Sequence, residues 1–136
     1  MSYASKTKVG VDKTRNEIET TLKRYGASSF AYASEPQRAT IIFEAADRRV
    51  RFELPLPPDE EKYAQARRSR WRALLLCIKA KLEAVASKIE TFDEAFLAHV
   101  VMPDGFTVGQ HTLGPVKQAY LDKKMVPLLA APEKPA

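Results

Sequence analysis

Between residues 59 and 89 the chain carries neither Gly nor Pro, and its large apolar side chains recur at helical spacing. At about 100° per residue, Trp71, Leu74, Leu75, Ile78, Leu82, Val85 and Ile89 fall in one sector, which predicts one long amphipathic helix with that stripe in the core. Arg68, Arg72 and Lys79 border the stripe on one side, and Arg70, Lys81 and Lys88 border it on the other. The back of this helix holds Ala73, Leu76, Cys77, Ala80, Ala84 and Ser87, where a solvated helix would carry charge. A helix apolar on two sides is normally sandwiched. The back, with Ala73, Leu76, Ala80 and Ala84 as its interface residues, is therefore expected to be covered by the chain's own C-terminal segments or by another subunit.

The flanking patterns are shorter. Asp12 is positioned to cap a helix of about 14 residues, with Ile18, Leu22 and Tyr25 as its apolar face and Gly26 as its stop. Residues 30–33 form a short aromatic strand and residues 38–45 a stronger one, with Ile41 and Phe43 inward and Ile42 outward. In residues 49–56, Val50, Phe52, Leu54 and Leu56 alternate with Arg49, Arg51 and Glu53, the pattern of a strand buried on one face. Turns at Glu35-Pro36-Gln37 and Asp47-Arg48 are too short for anything but an antiparallel meander. Beyond the long helix, Thr91 and Glu94 have capping-box spacing, with Phe92, Ala95, Phe96, His99 and Val100 as the apolar stripe that follows. Met102-Pro103-Asp104-Gly105 is a turn, residues 106–109 read as extended or loop, and a last helix opens at Gly114-Pro115. Its apolar positions are Val116, Tyr120, Leu121 and Met125, and Pro127 stops it. The expected architecture is one α+β domain over residues 9–129, a small three-stranded antiparallel sheet packed on a long central helix, with loose ends at residues 1–8 and 130–136.

Composition adds limits. With one cysteine, Cys77, no intramolecular disulfide can form, and mid-helix on an apolar back it reads as an inert buried thiol. No apolar run approaches the roughly 20 residues of a membrane span, so a cytoplasmic protein without a membrane partner is expected. The two histidines, His99 and His111, lack zinc-site spacing, and no phosphate-cradling glycine loop occurs. Asp59-Glu60-Glu61 complements a helix dipole, and Asp104 belongs to a turn. No catalytic residue, metal site or cofactor is expected.

What remains is cationic. The chain has 22 basic and 17 acidic residues, a net charge of +5, and arginine dominates its two clusters. Arg67, Arg68, Arg70 and Arg72 open the long helix, and Arg48, Arg49 and Arg51 lie at a turn and strand. Guanidinium forks suit phosphate, so Arg48, Arg49, Arg51, Arg68, Arg70 and Arg72 are the candidate nucleic-acid contacts, with Tyr3, Tyr32 and Tyr63 as possible stacking partners. Arg67, nearer the core stripe, is placed to pair with Glu53 or Asp59.

The blocks WRALLLCIKAKLEAV and TFDEAFLAHVVMPDGFTVGQ resemble small bacteriophage- and prophage-encoded proteins without a described activity. The likeness spans most of residues 9–110 and breaks at Gln110-His111, where those proteins continue with an acidic and an aromatic residue. It implies a phage or mobile-element source and a bacterial cytoplasm, and it transfers no catalytic residue. Two functions are therefore expected. The first is a non-catalytic accessory protein binding nucleic acid through its arginines. The second is a protein-interaction module, such as an antagonist of a host defence system or a self-assembling homodimer.

Overall fold

The computed structural model describes residues 3–129, with side chains from Gly10 onward; Met1, Ser2 and residues 130–136, part of the expected loose ends, lie outside the described residues. Helix α1 (Tyr3–Tyr25) leads into strands β1 (Ser28–Glu35), β2 (Arg38–Ala45) and β3 (Arg48–Pro55), followed by helices α2 (Ala64–Ala86), α3 (Phe92–Phe96) and α4 (Val108–Asp122). The fold is α+β, and the sheet is an antiparallel meander in the order β1-β2-β3.

Strand alternation determines which face is buried. Ile41, Phe43, Val50, Phe52 and Leu54 point inward and are buried, while Ile42, paired with Arg51, lies on the outer face. The β2–β3 hairpin turns one residue earlier than expected, through Ala46 and Asp47, both at positive φ (50° and 60°). Two such residues give the turn a twist that matches the strands it joins. Onto the inner face α2 sets Trp71, Leu74, Leu75, Ile78 and Leu82, and α1 adds Ile18 and Leu22. Phe96 closes the core, edge-on to both Phe43 (6.1 Å) and Phe52 (6.3 Å) and stacked on Phe92 (4.6 Å).

Several element boundaries differ from the sequence reading. Helix α1 begins at Tyr3, so residues 3–8 are helical, and the helix has 23 residues. The long helix is shorter than expected: Glu61–Tyr63 form a 3-10 turn before it, and Lys88, at φ 61°, stops it. Ile89 therefore leaves the core stripe and is exposed. Helix α4 starts six residues before Gly114, because Thr107 and Gln110 form a capping box, and it continues through Pro115. The expected capping box of Thr91 and Glu94 is present at the start of α3.

The β3 edge is covered. Val101 N–H donates to the Arg49 carbonyl at 2.8 Å, and Val100 bridges Val50, so residues 100–101 act as a fragment of a fourth strand. Gly109 then brings α4 against the next turn; a Cβ there would lie 2.8 Å from the Ala98 carbonyl oxygen. Truncation of Phe96, 0% exposed and touching three aromatic rings, is expected to cost about 3–5 kcal/mol. Urea denaturation of Phe96→Ala would show this as a lowered midpoint with little change in slope.

Candidate interaction surfaces

Guanidinium groups have five donors and lose free energy if buried without acceptors, so each arginine's position decides whether it is available to a ligand. Arg48 makes a two-pronged contact to Asp93, Nε–Oδ1 3.1 Å and Nη2–Oδ2 3.2 Å. Arg49 pairs with Glu44 at 3.0 Å across the β2–β3 ladder. A depression of about 600 Å³ adjoins both, but Glu44 and Asp47 line it beside Arg48 and Arg49, so it has no net charge to attract an anion.

Arg51 is a latch. Its Nη1 donates to the Gly105 carbonyl at 3.0 Å and its Nη2 to Gln110 Oε1 at 2.8 Å, while Glu53 stands 4.0 Å from Nε. The same Gln110 oxygen accepts the Thr107 N–H at 2.8 Å, so one side chain caps α4 and fastens it to β3. Around this latch, Asp104 accepts the Phe106 N–H and lies 2.7 Å from Nε2 of the buried His111. Those two contacts hold the Asp104 carboxyl below its usual range. The expected turn role of Asp104 is thus present, together with a histidine partner that spacing did not suggest.

The α2 arginines lie at the other end of β3. Arg70 donates to the Pro55 carbonyl, and Arg67 donates to those of Pro36 (3.0 Å) and Pro57 (2.6 Å) with Asp59 at 3.8 Å. Arg48 and Pro55 are seven strand residues apart, about 23 Å at ~3.3 Å per residue. The two arginine sets therefore form separate groups and do not make one patch. Arg72 has a loose 3.9 Å contact to Glu17, and Arg68 makes no hydrogen bond or ion pair among the described residues. Tyr32 is half-buried, with its hydroxyl on the Arg15 carbonyl and the Arg15 guanidinium over one face of its ring. Tyr63 has Lys62 over its ring, and the Tyr3 side chain lies outside the described residues.

Two apolar surfaces lie open. The expectation that C-terminal segments cover the back of α2 is not met: Leu76 is 55% exposed, and Ala73, Cys77 and Ala80 are exposed with it, Ala84 half-buried. Cys77 is accordingly an exposed thiol, contrary to the inert buried one expected. The physical reason is the latch, which ties α4 to the β3 edge, away from α2. The second surface is α4 itself. Past its first turns Leu113 is 70% exposed, and Tyr120 and Leu121, two of the expected apolar positions, face solvent at 82% and 68%. The T-x-x-Q spacing of Thr107 and Gln110 was the available signal for this earlier start.

His99 stacks on Phe52 at 4.0 Å. Burial, with nearby Lys81 adding to it, lowers its pKa below 6.5, and a backbone hydrogen bond at Arg51 opposes this only in part. The folded state thus favours neutral imidazole, and the unfolded chain takes up the proton first. The His99 contribution is fully present above pH 6.5 and is lost as pH falls toward the lowered folded value. Urea midpoints taken at about pH 7.5 and 5.5 should show a smaller acid-side loss for His99→Gln than for the unaltered chain; equal losses would refute the assignment.

Among the described residues no group of three or more His, Cys, Asp or Glu side chains converges, and no helix is long and apolar enough to cross a membrane. No family model, curated protein or solved structure matches the chain.

Proposed function

We propose that this protein is a non-catalytic interaction module whose working surface is the distal half of α4. The observation that carries this reading is the exposure of Leu113, Tyr120 and Leu121 on a helix whose main contact with the body, among the described residues, is with the Leu97–His99 turn at its start. Apolar patches beyond a few hundred Å² are uncommon on monomers and mark binding surfaces. The phage or prophage setting implied by the sequence blocks suits such a module, whose partner would be a host protein, a phage protein or another copy.

Nucleic-acid binding is the second reading, favoured by a single observation. Arg68 and Arg72 border an open groove of about 520 Å³ with Gln65 and Ser69, and Arg68 makes no hydrogen bond or ion pair among the described residues. Of the six candidate arginines these two retain the most freedom to meet phosphate. Arg48, Arg49, Arg51 and Arg70 already hold carboxylate, amide or carbonyl oxygens.

The first reading is tested by purifying the N-terminally tagged chain and its Tyr120→Glu/Leu121→Glu variant from the same bacterial host. The unaltered chain should carry a polypeptide, foreign or its own copy, that the variant lacks. Identical composition and identical mass for the two would overturn it. For the second reading, affinity for DNA and RNA should fall steeply with salt and drop in Arg68→Ala/Arg72→Ala. Absence of binding at about 50 mM salt would refute it.

A further inference from the structure

Helix α1 lies alongside α2 and runs in the same direction. Gly10 sits beside Arg68, and Glu17 stands 3.9 Å from both Arg72 and Lys79. At the first of these meetings the helices use a glycine. A Cβ on Gly10 would lie 2.7 Å from Cδ of Arg68 and 3.5 Å from its Cγ, and the nearer distance is too short for two carbons. The aliphatic stem of Arg68 therefore occupies a notch that glycine leaves open. Gly10 lies inside the 23-residue α1, where glycine forgoes stability relative to alanine. What the notch provides in return is a fixed place for Arg68.

The head of Arg68 has other surroundings. Among the described residues it makes no hydrogen bond or ion pair, whereas Arg67 and Arg70 hold backbone carbonyls. It borders the open groove of about 520 Å³ with Gln65, Ser69 and Arg72, and no carboxylate lines that groove. Residues 3–9, the turns of α1 that precede Gly10, contain Lys6 and Lys8 and no Asp or Glu. Arg68 and Arg72 are about one helical turn apart, roughly 6 Å along the axis at ~1.5 Å per residue. A stem held in a notch has lost rotamer freedom before any ligand arrives, which lowers the entropy cost of binding. Two guanidinium forks beside an amide and a hydroxyl suit an anion with several oxygens, and a nucleic-acid strand offers one phosphate to each fork.

We infer that Gly10 is a positioning residue for nucleic-acid binding: it seats the stem of Arg68 so that the guanidinium meets the phosphodiester backbone in the α2 groove, with Arg72 on a neighbouring phosphate. This rests on the nucleic-acid reading and adds the residue that shapes its site. The contacts are to phosphate, so they carry no preference for base sequence.

Fluorescence anisotropy of the purified full chain with labelled DNA and RNA of mixed sequence, from about 50 mM salt upward, tests this. Gly10→Ala should weaken binding on the order of tenfold, the worth of one charge-assisted contact, and reduce the slope of log affinity against log salt by about one. Its urea midpoint should not fall, because alanine is the better helix former. In an Arg68→Ala background, where nothing fills the notch, Gly10→Ala should have no further effect on binding. Arg68→Met, which keeps an aliphatic stem on Gly10, should lose the same affinity as Arg68→Ala. Equal losses from Gly10→Ala in both backgrounds, or no loss in either, would overturn the role of Gly10 and leave the nucleic-acid reading standing on Arg68 and Arg72. Absence of binding to DNA and RNA at about 50 mM salt would overturn both. Attachment through these arginines to phosphatidylserine vesicles, with none to DNA or RNA, would do the same.

Discussion

Burial of the sheet's inner face is the constraint on which the rest of this molecule depends. A sheet that is apolar on one face must bury that face against another element, and the partner has to match it in length. Helix α2 provides one, with five buried large side chains along 23 residues. Phe96 then fills the space between the far end of α2 and the β3 side of the sheet, meeting Phe43 and Phe52 edge-on. Because α3 must deliver Phe92 and Phe96 to that place, the chain leaves α3 beside β3, and residues 100–101 have the open edge of that strand to pair with. The position of α4 follows from the position of Phe96.

The cations serve this arrangement more than they decorate it. Irregular connections leave carbonyls without backbone donors, and long cationic side chains can reach them without leaving water entirely. Arg67 and Arg70 hold the carbonyls around the proline-rich passage from β3 to α2, which proline itself cannot do for lack of an N–H. Lys81 reaches the Ala95 carbonyl at 2.9 Å and joins α2 to α3, and Arg51 joins β3 to the turn before α4. A cluster of arginines in sequence is therefore consistent with a fold that uses many loops of fixed shape. That use competes directly with phosphate binding for the same donors.

Local signals were well legible. The alternation in residues 49–56, the core stripe of α2 from Trp71 to Leu82 and the capping box at Thr91 each depend on neighbours within one element, and each reads correctly from spacing, whereas Ile89 falls past the helix end. The register of β2 and the outward Ile42 follow from the same period of two. What could not be read was where elements meet. The T-x-x-Q box at Thr107, which sets the early start of α4, competes in sequence with the stronger Gly-Pro signal at residues 114–115. Nothing local says that Gln110 would share Arg51 with the Gly105 carbonyl, 54 residues away in sequence for that bond. A covered back of α2 follows only from the placement of small residues opposite Trp71, and small residues there are equally compatible with an open face.

The two open apolar surfaces differ in what they ask of a partner. The α2 back is already helical without company, since its other side is bound into the core, and its alanines forgo little free energy by meeting water. The distal half of α4 has no such second side. Its large side chains gain more from burial, and its helix propensity is weakened by Gly114 and Pro115, which interrupt the run of good helix formers. On the interaction-module reading, folding of this segment and its association form a single equilibrium, in which the ordering cost of ten residues is set against the area they cover. The Arg51 latch contributes to this balance from outside the contact. By fixing the first turn through Gln110, it supplies the nucleus that a short helix finds hardest to form, so that association has only to extend a helix already begun.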